Sequence, residues 1–299
     1  MKTLGILTKR NIKLFFKDKG LFFTSLITPI ILLVLYATFL GNVYESTLLS
    51  IIPKGLLVDE RVVSGYVGAQ LISSILAVSC VTIAFCSNML MVQDKVTGSI
   101  LDLRMSPISP STLSLSYYLA TLSATLIICL TAFGICLVYI AFLGWYLSFV
   151  DCLLLVVDII LLTLFGTALS SIVNSFLSTG GHISAVGSIV SSGYGFISGA
   201  YMPISQFSEG LQNAIAFLPG TYGTSLLRNH AMRGVFAQME KDGLPSQLID
   251  GIKDAFDCNI YFFDIKVEIP VMYLILTASV LLLIGIYVIL ASRKNKKKS

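Results

Sequence analysis

Charge is missing from this chain in long blocks. No Asp, Glu, Lys or Arg occurs in 20–44, 62–93, 105–150, 159–208 or 269–292. A helix crossing the hydrocarbon core of a bilayer needs about 20 apolar residues. Several blocks hold one such segment, and the longest, 50 residues, holds more. Only 12% of the chain is charged, about half the share usual in soluble domains. With no water at that depth, backbone groups must pair within each segment, which selects helices. The fold class expected is therefore an all-α polytopic membrane protein, a single transmembrane domain over 1–299. Soluble enzymes, nucleic-acid readers and secreted disulfide scaffolds are excluded, so the bilayer is a partner and nucleic acid is not.

The first element is not a span. At 100° per residue, Leu4, Leu7, Ile12, Leu14, Phe15 and Phe16 share one half of a helix, and Lys2, Lys9, Arg10, Lys13 and Lys17 the opposite arc. Ile6 is the misfit. This pattern predicts an amphipathic interfacial helix over 3–19. Six spans come after it, at 21–40, 68–92, 115–143, 152–174, 183–200 and 271–290. The 93–110 segment is a short charged loop. The 201–227 segment is apolar in patches but broken by Pro203, Gly210, Pro219 and Gly220, which predicts re-entrant outer half-helices. The 228–268 segment is polar and reads as an extracellular loop.

Six spans put both termini on one side, and both are basic. Placing that side in the cytoplasm puts 13 Lys and Arg inside, against Lys54 and Arg61 in the short outer loops. The positive-inside rule then gives both termini cytoplasmic in a multi-pass membrane protein. The net charge of +4 reflects these flanks. Cys80, Cys86, Cys129, Cys136 and Cys152 lie in or beside apolar runs, as buried thiols do. Cys258 sits in the polar loop, where an exposed thiol or an intermolecular bridge is open to it.

Chemistry is sparse. Asp158 is the one clear ionisable candidate inside a span. A single carboxylate with no facing Lys, Arg or His makes a poor proton relay, and the favoured reading is a solvated or capped group near a helix end. His182 and His230, the two histidines, fall on opposite faces of the membrane in this topology and cannot share a metal. Phosphate-loop, GxSxG and HExxH patterns are absent. The chain is expected to have no catalytic or metal residues and no cofactor of its own, so any ATP dependence must come from a separate subunit.

Two segments are less generic. Ser198-Gly199-Ala200-Tyr201-Met202-Pro203-Ile204, Leu211-Gln212, Phe217-Leu218-Pro219-Gly220-Thr221-Tyr222 and Leu227-Arg228 together resemble the signature after the fifth span in permease subunits of type-2 ATP-binding-cassette exporters. Bacterial drug, antimicrobial-peptide and polysaccharide exporters belong to that family. Asp94, Gly98, Asp102, Arg104, Ser106, Pro107 and Ile108 resemble its first cytoplasmic loop, apart from Leu101, where many members carry an acidic residue.

The resemblance implies a coupling helix, with Asp94, Gly98, Asp102, Arg104 and Pro107 docking on an ATP-binding-cassette ATPase that carries the ATP and Mg. It implies a second permease, the same or a homologous chain, and an outer gate at Pro203, Pro219, Tyr222 and Arg228. A substrate path between the second and fifth spans would be lined by Ser79, Thr82, Asn88, Ser188, Ser192, Tyr194 and Phe196. The same small residues equally suit close helix packing. Their mixed hydroxyl and aromatic character favours an amphipathic drug, peptide or lipid-like cargo, moved outward by analogy. A polysaccharide or teichoic-acid permease is the alternative. A non-transporting sensor, immunity or assembly subunit is a rival of another class, and a secondary transporter driven through Asp158 is another.

Overall fold

A computed structural model describes residues 2–53 and 58–296; the side chains of 37, 104 and 292–296 lie outside the described residues. Lys54, one of the two cations expected in short outer loops, lies outside the described residues.

Helix α1 (Lys2–Lys17) buries Leu7, Asn11 and Phe15, three positions on one face at helical spacing. Ile6, off that face, is 68% exposed. Asp18 then caps α2 (Lys19–Leu35), accepting from the Leu21 N–H at 3.1 Å. A π-turn over 36–40 leads into α3 (Gly41–Ile51) without a break, so the first long helix continues well past the 21–40 span. Asp59 caps α4 (Glu60–Val96), which has 37 residues and is about 55 Å long at 1.5 Å per residue. The apolar stretch 68–92 is its middle.

Gly98, at φ 81°, turns the chain into the short α5 (Ser99–Met105), a left-handed position that suits glycine. The long α6 (Pro110–Leu143) starts with Pro at its first position and Ser109 as cap. A reciprocal cap between Ser148 and Asp151 starts α7 (Phe149–Phe176). Thr179 caps α8 (Gly180–Ile197).

The second half departs most from expectation. After the short α9 (Glu209–Ile215), α10 runs unbroken over Pro219–Lys241. The boundary expected at 227/228, between a re-entrant segment and an extracellular loop, therefore falls inside one helix. The stretch after α10 is not a loop either. It holds α11 (Ser246–Ala255) and an antiparallel hairpin of β1 (Ile260–Phe262) and β2 (Ile265–Val267), with Tyr261 opposite Lys266. Phe263 and Asp264 take positive φ at its tip, the geometry a two-residue hairpin turn requires. Finally α12 (Ile269–Lys296) returns across the protein.

Among the described residues, five helices are long and apolar enough to cross a membrane: Lys19–Ile51, Glu60–Val96, Pro110–Leu143, Phe149–Phe176 and Ile269–Ala291. The segment expected as the fifth of six spans is α8, where five glycines, four serines and His182 dilute the apolar character.

The centre of the molecule is α4. Its most apolar window is wholly buried, enclosed by α2, α6, α7, α8 and α10. Small residues let neighbours approach that closely. A Cβ at Gly166 of α7 would stand 2.8 Å from the Cys80 carbonyl oxygen of α4. Most other crossing helices show apolar side chains outward, Ile135, Phe142, Leu153, Leu274 and Leu281 among them, as lipid-facing surfaces do.

Candidate functional site

At its C-terminal end α4 carries two adjacent ionic residues, and each grips a different neighbour. Asp94 is buried and accepts from Arg10 of α1 at 2.8 Å and from the Tyr117 hydroxyl of α6 at 2.5 Å. Beside this, Asn11 of α1 donates to Ser116 at 3.3 Å. Lys95 turns the other way. Its ammonium donates to the carbonyls of Asn174, Ser175 and Leu177 at 3.0, 3.1 and 2.9 Å. These carbonyls close the C-terminal end of α7, where a cation offsets the helix dipole.

The charged loop then folds as α5. Leu101 is 57% and Met105 79% exposed, so α5 presents apolar side chains outward while Ile100 packs inward. Asp102 and Pro107 are exposed on the same segment, and the Arg104 side chain lies outside the described residues. Of the expected coupling residues, Gly98 makes the turn and Asp102 and Pro107 are accessible, whereas Asp94 is engaged in holding α1 and α6.

The expected lining residues divide. Ser79, Thr82 and Asn88 are enclosed in the bundle, with Asn88 donating to Ser170 and Ser171 of α7 at 3.2 and 2.9 Å. Ser188, Ser192 and Phe196 are exposed on α8, a helix with one buried residue, Gly195. Tyr194 reaches Gly220 at the start of α10.

The residues of the 198–228 signature bind one another. Tyr222 donates to the Ala216 carbonyl at 2.7 Å, and Gln212 to that of Phe207 at 2.8 Å, which shapes the turns on either side of α9. Pro203 is buried, and Pro219 opens α10. Arg228 is fully buried. It pairs with Asp257 at 3.0 Å and donates to the Gly199 carbonyl. With its amide oxygen turned toward the guanidinium, Gln70 of α4 accepts two further bonds at 3.3 Å. Asp257 in turn accepts from the backbone N–H groups of Ile204 and Ser205 at 2.5 and 3.1 Å. One ion pair thus ties α10, the 199–205 segment and the chain after α11 together. Burial raises the Asp257 carboxyl above its ordinary range, against the pull of Arg228 and the two N–H groups.

Two expectations fail here. Asp158 is neither solvated nor without a basic partner. It is 1% exposed, with His230 Nδ1 of α10 at 2.6 Å and the Tyr273 hydroxyl of α12 at 2.5 Å. The reason is that α10 packs antiparallel along α7, with Arg233 beside Asp151 at 2.5 Å and Gly223 against Leu162. Cys258 is also not exposed. It is 1% accessible against Met232, and burial pushes its thiol up to about 12.

Sequence reasoning missed Lys95, His230 and Asp257. An ionisable group inside a span demands a partner, and that demand on Asp158 was the available signal for His230. A family model described as ABC-2 type transporter matches residues 2–231. No curated relative matches the sequence.

Proposed function

The chain belongs to the ABC-2 type transporter family, and on that basis we propose that it is the permease of an ATP-driven exporter with its ATPase on a separate subunit. Membership makes it a membrane component of an ABC transporter; the coupling element, the dimer, the direction and the cargo are the proposal. The observation that carries it is α5. A seven-residue helix with Leu101 and Met105 exposed is joined through Gly98 to the most deeply buried helix of the bundle. A protein surface docking on α5 would move α4, and α4 contacts every other long helix except α12 extensively.

In this reading the 94–107 segment docks on the ATPase through the exposed face of α5, with Lys95 turned instead toward the α7 terminus; ATP and Mg bind to the ATPase, and closure of the paired ATPases rocks two permeases between states. A ligand shifts such an equilibrium only through its different affinity for the two states. The re-entrant reading draws on the packing of α10. Ten residues separate Arg233, level with the α7 N-terminus, from Gly223, so the start of α10 lies at least about 15 Å deeper in the bundle. Polar backbone at such depth survives because protein surrounds it. The hydroxyl and aromatic residues on α8 fit an amphipathic or lipid-like cargo leaving a bacterial cytoplasmic membrane.

The test is purification of the tagged chain from its native membrane in mild detergent, with co-purifying proteins identified. A stoichiometric ATPase with vanadate-sensitive hydrolysis, lost on Leu101→Asp with Met105→Asp, is the expected result. A folded chain that purifies without any ATPase from cells expressing one contradicts the proposal.

A further inference from the structure

We propose that Lys95 is the positioning residue through which displacement of α5 reaches α8. This rests on the docking of α5 proposed above. Three observations on separate elements meet at this point. The first is the grip itself: one ammonium holds three carbonyls of the α7 terminus within 3.1 Å. A charged donor on aligned carbonyls at a helix end makes a strong contact. It is also directional, because a lysine ammonium must follow those carbonyls or release them.

The second is the chain beyond the grip. Leu177 is the C-cap that follows α7, and α8 begins at Gly180. Two residues, Ser178 and Thr179, lie between, and Thr179 is itself the cap of α8. So short a connection passes on a movement of the Leu177 carbonyl rather than absorbing it. The third is the looseness of α8. Of its 18 residues one is buried, so little besides its ends and its contact with α4 restrains it.

Asp94 completes the arrangement by doing the opposite task. It fixes the C-terminal end of α4 to α1 and α6 through Arg10 and Tyr117. Two neighbouring side chains therefore separate a held side, α1 with α6, from a driven side, α7 with α8. The bond from Asn174 to the Phe85 carbonyl of α4 at 3.4 Å lies farther along α4 from the grip and gives it a fulcrum.

The experiment uses the permease–ATPase complex in liposomes, with a reporter thiol introduced by Ala185→Cys on the exposed face of α8. The readout is its rate of reaction with a methanethiosulfonate reagent, with and without ATP-vanadate trapping; the parent chain, whose native thiols stay in place, is the blank. Trapping is expected to change the rate about fivefold, the low end of coupling between distant sites. Lys95→Met is expected to bring that ratio to about one while the ATPase stays bound and active, and Lys95→Arg to restore most of it. A purely structural lysine would alter assembly or melting and leave the ratio untouched. If Lys95→Met does not assemble, Lys95→Gln, with a shorter amide in place of the ammonium, is expected to give an intermediate ratio. A parental ratio in either variant overturns the proposal. So does an α8 thiol insensitive to nucleotide in a complex that binds its ATPase, a result that leaves the docking of α5 standing. A chain that binds no ATPase overturns both.

Discussion

Replacing Arg228 by Met should unlock α10 from Asp257 and the 199–205 segment, and the structure sets the scale. The Arg228 and Asp257 side chains are 0% and 5% exposed, so water cannot take over from a lost partner. Removing one member of a buried pair costs about 3–5 kcal/mol, chiefly because the other charge stays behind. Asp257 would retain the Ile204 and Ser205 N–H groups, which places Arg228→Met toward the lower end, about 3 kcal/mol. Asp257→Asn strands a guanidinium that still reaches the Gly199 carbonyl and should cost a similar amount. The double variant removes both charges, so its cost should fall short of the sum by about 2–3 kcal/mol. The assay is unfolding in mixed detergent micelles followed through Trp145, the single tryptophan, which lies in the turn between α6 and α7. A coupling energy below about 0.5 kcal/mol would show that the two charges do not depend on each other, and the account of the 198–228 signature would fall with it.

Gly234→Ala should destabilise by about 3 kcal/mol, since a Cβ there overlaps the Tyr146 carbonyl; a melt matching the parent in the same assay contradicts this close approach. Tyr273→Phe removes one hydroxyl donor from Asp158 and should cost about 1.5–3 kcal/mol, as a bond to a charged group does; a change under about 0.5 kcal/mol would mean that the carboxylate is satisfied without it. With its thiol pushed up to about 12 by burial, Cys258 favours the protonated form when folded, against an ordinary value of about 8.5. Its contribution to stability is therefore complete below about pH 8.5 and fades as the pH rises toward 12. Maleimide at about pH 8 should reach Cys258 only after unfolding, judged against Cys258→Ser; quick labelling of the native protein would refute its burial.

The physical character of each signal explains which parts of this protein were legible. Uninterrupted apolar length is local, so five long apolar helices followed from the charge-free blocks, whereas α1 buries Asn11 beside Leu7 and Phe15 and leaves Phe16, of the expected apolar half, exposed. Pro219, expected as a break in the chain, instead stands at the first position of α10, where its missing N–H costs nothing. By contrast α10 is neither apolar nor one-sided. It buries Thr221, Ser225, Arg228 and His230 along with Leu226 and Met232, because several different elements surround it. Its sequence therefore resembles a loop while its packing is that of a core helix.

By itself, the sequence determined that the chain is a bundle of membrane helices with a basic amphipathic start, and through two short segments it pointed to the family. Tertiary structure alone decided which polar groups are partners. Asp158 and His230 are 72 residues apart, Arg228 and Asp257 29, and Lys95 and its carbonyl acceptors about 80. No periodicity relates positions so distant. Each pairing exists because helices cross at one place, and small residues such as Gly166, Gly223 and Gly234 let them come close enough for a buried charge to find its counterpart.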